Sequence, residues 1–281
     1  MKCMRLKNLL IPILLFTEPH LIVSVSSAEE IPRDDWSITL GLGVFYGAEY
    51  EGSDESEAMV APNIEVVWKD RIFLNLEGIG INYYRNDSIV LNAAVSQGDD
   101  REESLNASLN GLGDIDTSTT ITLGAEIELG LFISNVDLIR HIGGTDGTQV
   151  IVGLETVVPL RILTGNFDVA NMELEGETED LLFIGPLVTA GLTADWGDND
   201  YTSGFFSVNA EQSLRSGLPQ YTAEAGFKSL NFELGVLYPV SKSWIAQGLV
   251  GYSKLIGDAE DSPIVKANDD IIFGGFISYQ F

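Results

Sequence analysis

The last eleven residues, Ile271 to Phe281, alternate without interruption and stop on an aromatic. Strand side chains have period two, so Ile271, Phe273, Gly275, Ile277, Tyr279 and Phe281 share one face. Ile272, Gly274, Phe276, Ser278 and Gln280 share the other. An apolar face opposite a mixed one suits lipid outside and a wet or packed lumen inside, which is the pattern of a closing transmembrane β-strand. Phe273, Ile277, Tyr279 and Phe281 are therefore the residues expected to present this strand to a barrel assembly machinery.

The other end of the chain fits the same compartment. Lys2, Arg5 and Lys7 form a basic start, Leu9 to Phe16 a short apolar run, and Ser26-Ser27-Ala28 a small-residue cleavage site. Residues 1–28 are expected to be a signal peptide and residues 29–281 one outer-membrane barrel domain. The apolar run is broken by Glu18 and Pro19 and falls short of the roughly 18 residues that a spanning helix needs. No later stretch reaches that length. Cys3 is the only cysteine, so the mature chain is thiol-free. The whole chain has 15 Lys+Arg against 42 Asp+Glu; without Lys2, Arg5, Lys7 and Glu18 the balance is −29. Such a chain repels nucleic acid, and its outer carboxylates are expected to face lipopolysaccharide and its divalent cations, with phospholipid around the barrel.

Alternating segments continue through the mature sequence. Trp36 to Tyr46 sets Trp36, Ile38, Leu40, Leu42, Val44 and Tyr46 on one face, with an aromatic at each end. Thr119 to Ser134 puts Ile121, Leu123, Ala125, Ile127, Leu129, Leu131 and Ile133 outward and Glu126 and Glu128 inward, because carboxylates on a lipid face are costly. Thr148 to Arg161 and Asn231 to Val240 place Glu155 and Glu233 inward in the same way. Ala58 to Trp68, Arg71 to Tyr83, Ser88 to Gln97, Leu181 to Ala194, Gly204 to Ala210, Tyr221 to Leu230 and Trp244 to Leu255 complete twelve strands. The expected fold is all-β, a transmembrane antiparallel up-and-down β-barrel. Ten strands is the alternative, if Val208 to Arg215 is a short helix in a long loop. With both termini periplasmic, Lys69-Asp70 and Ser241-Lys242 are periplasmic turns. Tyr50 to Glu57, Asn135 to Gly147 and Gly257 to Asp270 are outer loops. Gly98 to Ser118 and Ile162 to Asp180 fall on the periplasmic side despite their length.

Six motifs follow one another along the chain: Glu49-Tyr50-Glu51-Gly52-Ser53-Asp54; Pro62; Asp70-Arg71-Ile72-Phe73; Gly111-Leu112-Gly113-Asp114-Ile115-Asp116; Phe206-Ser207-Val208 with Gln212 and Ser216-Gly217-Leu218; and Leu255-Ile256-Gly257-Asp258-Ala259 with Asp261 to Val265. In that order the chain resembles the MipA/OmpV family of outer-membrane proteins from Trp36 to Phe281. Ala48 stands where the family usually has Pro, and Ser207 where Gly is usual. The resemblance implies an outer-membrane location. It also implies, through the family's namesake, a scaffold joining a lytic transglycosylase to a bifunctional murein synthase. Other members are linked to solute uptake, antibiotic response and adhesion.

Chemistry at the residue level is sparse. The mature chain has a single histidine, His141, in what reads as a surface loop, too little for a Ser-His triad or a transition-metal site. No cofactor and no catalysis are expected. Glu126 and Glu128 lie ~7 Å apart on one strand face and read as lumen charges paired with Arg161 or Lys228. Asp195 to Asp200 and Asp258 to Asp261 cluster hard oxygens suited to calcium, or simply end strands. The candidate partner contact is Gly111, Leu112, Gly113, Asp114 and Asp116. The candidate outer-loop contact is Tyr50, Glu51, Ser53 and Asp54. The candidate lumen is Glu126, Glu128, Glu155, Glu224 and Glu233. Three functions follow: a murein-enzyme scaffold, a narrow cation-preferring pore for small solutes or antibiotics, and a surface adhesin.

Overall fold

The computed structural model describes residues 35–76, 78–164 and 185–281. The signal-peptide expectation and most of the segment from Ile162 to Asp180 lie outside them. Twelve strands close into one antiparallel barrel in which every strand pairs with its neighbours in the sequence, and β12 with β1. They are β1 Trp36–Ala48, β2 Ser56–Trp68, β3 Ile72–Asn75, β4 Gly78–Arg85, β5 Ile89–Gln97, β6 Thr119–Leu129, β7 Phe132–Ile142, β8 Thr148–Pro159, β9 Leu187–Gly197, β10 Gly226–Pro239, β11 Trp244–Leu255 and β12 Asp269–Gln280. No described helix is long and apolar enough to cross a membrane.

The expected number of strands is met, but by different strands. Arg71 to Tyr83 is a hairpin, β3 and β4; Thr119 to Ser134 spans the turn between β6 and β7. Both turns are marked by a phase change. Ile72 and Leu74 face out at even positions, Ile79, Ile81 and Tyr83 at odd ones; Ile121 to Leu129 face out at odd positions, Phe132, Val136 and Leu138 at even ones. Gly130, at φ +72°, takes a turn conformation that a side chain would strain. Asn135 to Gly147 is thus mostly β7 and not an outer loop. Gly204 to Ala210 and Tyr221 to Leu230 are not separate strands. The first falls on helices α2 Asn199–Phe206 and α3 Ala210–Ser216, and the second runs into β10.

The one extra strand before residue 98, from β3 and β4 being a hairpin, moves the connection Gly98 to Ser118. It leaves β5 at the end opposite the termini, beside the β1–β2 connection, and is therefore an outer loop and not a periplasmic one. The turns at the termini end are short at 69–71, 86–88, 130–131 and 240–243. The β8–β9 connection, which opens with helix α1 Leu160–Leu163, is the long one on that side.

The wall alternates as a membrane barrel must. Leu40, Leu42, Val44, Ile121, Leu123, Leu138, Leu154, Leu192, Phe232, Leu234, Phe273 and Ile277 are exposed on the outer face. Trp36 packs on Trp68, and Trp244, Tyr279 and Phe281 form a second aromatic run near the termini. The inner face is small and polar: Asn63, Thr120, Asn135, Gln149, Thr189, Asn231, Ser253 and Ser278 are all buried. At the β1–β12 closure Phe276 lies over Gly43 and Phe45 over Gly274, the two rings meeting edge to face at 4.8 Å.

Candidate functional site

Four outer connections fold together over the barrel mouth and form a lid. They are residues 49–55, 98–118, 198–225 and 256–268, the last carrying the short helix α4 Gly257–Glu260. Tyr50, Leu109, Leu112, Val208 and Ile264, one or more from each connection, make one buried apolar cluster. Phe206, Ala223, Leu255 and Ala259 make a second beside it. Loops seldom carry a core of their own, and this one exists because each connection contributes one or two apolar residues that no single loop could bury.

Polar contacts bind the same segments. Asn106 donates to Glu49 and Glu55 at 2.8 and 3.3 Å, joining the second connection to the first. The Gly111 and Gly113 amides donate to Glu103, Gln212 donates to the Leu112 carbonyl, and Arg215 to the Gly111 carbonyl. Ser262 donates to the Phe206 carbonyl at 2.6 Å, and Lys266 and Ala267 amides donate to the Gly52 carbonyl. Gly52 (φ +97°) and Gly111 (φ +85°) sit where a side chain would strain the backbone and would also meet Val265 and the Arg215–Ser216 backbone. Buried Arg101 donates to the Phe205 carbonyl, and burial brings its guanidinium down to about 10.

Beneath the lid lies a chain of buried polar groups. A bulge at Phe227/Ser229 turns Lys228 inward, where its Nζ lies 2.7 Å from Glu51 of the lid and 2.8 Å from Asp195 of β9. Gln149 donates to Asp195 at 2.7 Å and contacts His141 at 3.4 Å; His141 Nδ1 is 2.9 Å from Ser118 Oγ. Tyr201 of α2 packs on His141 at 5.0 Å and donates its hydroxyl to Asp99. Burial, then Asp99, pushes the Tyr201 phenol well above its ordinary value.

These positions redraw the sequence-based site. Gly111 to Asp116 are lid mortar at the outer end, with Leu112 buried, not a periplasmic contact. Tyr50 is 5% exposed and not a displayed aromatic. Glu51 grips Lys228, and Ser53 is buried. Glu126, Glu128, Glu155 and Glu233 do face the lumen, with Glu155 and Glu233 beside a cavity of about 30 Å³, room for roughly one water. Glu224 does not: it is exposed in the outer connection before β10. Lys228 pairs with Glu51 and Asp195, not with Glu126 or Glu128. His141 lies in β7 and is 2% exposed, not a surface-loop residue. Asp195 and Asp198 serve separate tasks, the first pairing Lys228 and the second capping α2. Asp258 accepts from the Glu224 amide, and no metal-binding group of three acidic, His or Cys side chains occurs among the described residues.

A lipid-facing apolar belt around a polar lumen, with the start of β1 and the end of β12 at one rim and a folded lid at the other, defines an integral outer-membrane β-barrel. Its sequence places it further: the family described as MltA-interacting protein MipA matches residues 40–281, and the chain belongs to that family. Among curated relatives, the MltA-interacting protein of Escherichia coli (strain K12) is 28% identical over 97 residues, 34% of this chain and 39% of its own length. YiaT of the same organism, named as an outer membrane protein, is 26% identical over 94 residues, 34% of this chain and 38% of its own length. The chain thus matches little more than a third of the length of these relatives. Among solved structures, a bacterial polysaccharide outer membrane secretin has 9% identity and a TM-score of 0.44, covering 87% of this chain and 98% of its own. OprD from Pseudomonas aeruginosa has 9% identity and a TM-score of 0.34, covering 88% and 94%. At those scores the likeness carries no argument about function.

Proposed function

We propose that this barrel is a non-catalytic outer-membrane scaffold that holds murein-synthesising and murein-hydrolysing enzymes at the periplasmic face. The observation that carries this reading is the lid. A mouth closed by two apolar clusters, over a lumen lined by mutually bonded polar side chains, suits an anchor better than a duct. The family description, MltA-interacting protein, points the same way. Because the lid occupies the outer end, the partner contact belongs at the termini end, where the β8–β9 connection is the longest feature available to a periplasmic protein.

The test is recovery from native envelopes in mild detergent, comparing the intact barrel with a variant in which residues 160–186 are replaced by a short turn. Co-recovery of a lytic transglycosylase and a murein synthase by the intact barrel alone is the expected result. Recovery of neither, from a barrel that still shows heat-modifiable migration, together with cation-selective conductance that disappears in Glu126→Gln/Glu128→Gln, would replace the scaffold with the pore. The adhesin reading is disfavoured by the burial of Tyr50.

A further inference from the structure

The barrel wall has a notch. β3 contains only four residues, about 13 Å of strand, beside a β2 of thirteen. It pairs with β2 only from Val66 to Trp68, and the chain then turns back into β4 at Gly78. The outer half of β2, residues 56–64, pairs fully with β1 on one edge and forms no hydrogen bond on the other among the described residues. Pro62, which has no N–H to give a ladder, lies within this stretch. On the far side β5 ends at Gln97, and above the notch the second outer connection crosses to the top of β2 through the Asn106 bonds to Glu49 and Glu55.

Backbone groups left open toward hydrocarbon are costly, and acyl chains cannot satisfy them. Whatever lies in the notch brings polar atoms to the depth of the outer leaflet. The inward face of β2 there carries Glu57 and Glu65, both half-buried, and neither forms an ion pair among the described residues; Asn63 sits between them. The outward rim, Val60, Ile64, Leu76 and Ile79, is apolar and exposed. The apolar clusters of the lid cover the mouth, so a head group entering from the outer leaflet meets the wall at the notch.

We propose that this notch is a lateral binding site for a single-chain amphiphile with a cationic head group, the chain staying in the outer leaflet and the head reaching the β2 edge and Glu65. The site stands apart from the scaffold reading, since it lies in the outer leaflet and involves no periplasmic partner.

The test follows the Met59 methyl resonance, on the inward face of β2 beside the notch, in phosphatidylcholine nanodiscs titrated with dodecylammonium. A saturable shift is expected. Glu65→Gln should weaken it about tenfold, the scale of one half-buried charge contact. Ala61→Trp should abolish it by filling the notch, and Glu126→Gln, on β6, should leave it unchanged. Heat-modifiable gel migration checks that each variant is folded. An equal response to dodecyl sulfate, or an unchanged response in Ala61→Trp, would reduce the effect to partition into lipid and overturn the proposal. So would amides 56–64 that resist exchange in native outer membranes whether or not the amphiphile is added, because a peptide strand would then already occupy the edge.

Discussion

Lys228 is the residue through which the lid and the wall hold each other, and replacing it with Met tests that arrangement directly. Its side chain is 6% exposed, against 26% for Glu51 and 8% for Asp195. Met keeps most of the volume but removes the cation, leaving a lid carboxylate facing a wall carboxylate. Removing one member of a buried pair costs about 3 to 5 kcal/mol. Asp195 keeps its bond from Gln149, and Glu51 has partial access to water, so the low end applies. At about 1.4 kcal/mol per decade, a loss of about 3 kcal/mol makes lid opening roughly a hundred times more frequent. Amide exchange of peptides covering residues 49–55 and 201–223 measures this, with β11 as an internal reference. Glu51→Gln, which keeps a hydrogen bond and the Asp195 pair, should accelerate exchange by about tenfold only. The triple replacement Lys228→Met, Asp195→Asn, Glu51→Gln should recover most of the protection. Lid exchange in Lys228→Met within twofold of the parent would refute the reasoning.

Other outcomes are equally open to measurement. Gly43→Val forces a side chain onto the Phe276 ring at the β1–β12 closure and should cost about 1 to 3 kcal/mol, seen as a lower temperature for the heat-modifiable gel shift. Gly111→Ala combines a left-handed φ with a contact on the Arg215 backbone and should loosen the lid by about 1 to 3 kcal/mol, raising protease cleavage between residues 98 and 118 while leaving the wall intact. Asp198 is the acid-sensitive cap of α2. Burial works to raise its value, but the Tyr201 amide, Thr148 and Arg140 outweigh burial and leave it lowered. Its stabilisation is therefore complete above the ordinary value of 3.8 and is lost as pH falls through the lowered one, so near-ultraviolet dichroism of Tyr201 should change below pH 3.8 and Asp198→Asn should flatten that change.

The architecture was largely legible because lipid imposes period-two patterning that survives without any tertiary knowledge. The closing strand, the outward residues of β1 and β6 and the inward Glu126, Glu128, Glu155 and Glu233 all follow from alternation alone. What alternation hides is a tight turn that costs no polar residues. Leu74-Leu76 and Leu129-Gly130-Leu131 look like continuing strand, and only the shift of the apolar phase from even to odd, or the reverse, marks the hairpin. Each missed turn inverts the side assigned to every later loop, which is how Gly98 to Ser118 was expected at the periplasmic rim. The lid was not legible as a unit, since its core draws one or two residues from each of four connections. One local signal was present: Asn209 and Gln212 bond reciprocally as a capping box and mark the start of α3. Lys228 carries no such mark, because its inward turn depends on a bulge that period two does not reveal.

The lid also sets an order of events. Tyr50 donates its hydroxyl to the Ile264 carbonyl across 214 positions of sequence, and Lys228 reaches Glu51 across 177. Such contacts carry the full entropic cost of loop closure unless the intervening strands are already aligned. The β1–β12 seam brings these loops together, so the lid is expected to form after the cylinder closes, an order that amide-exchange labelling during refolding would check. On that order, a chain stalled before its final strand is seated would leave Phe206, Val208 and Ile264, buried in the closed barrel, uncovered. Completion of the cap is thus a built-in report that the cylinder has closed, readable by any factor that recognises uncovered apolar loops.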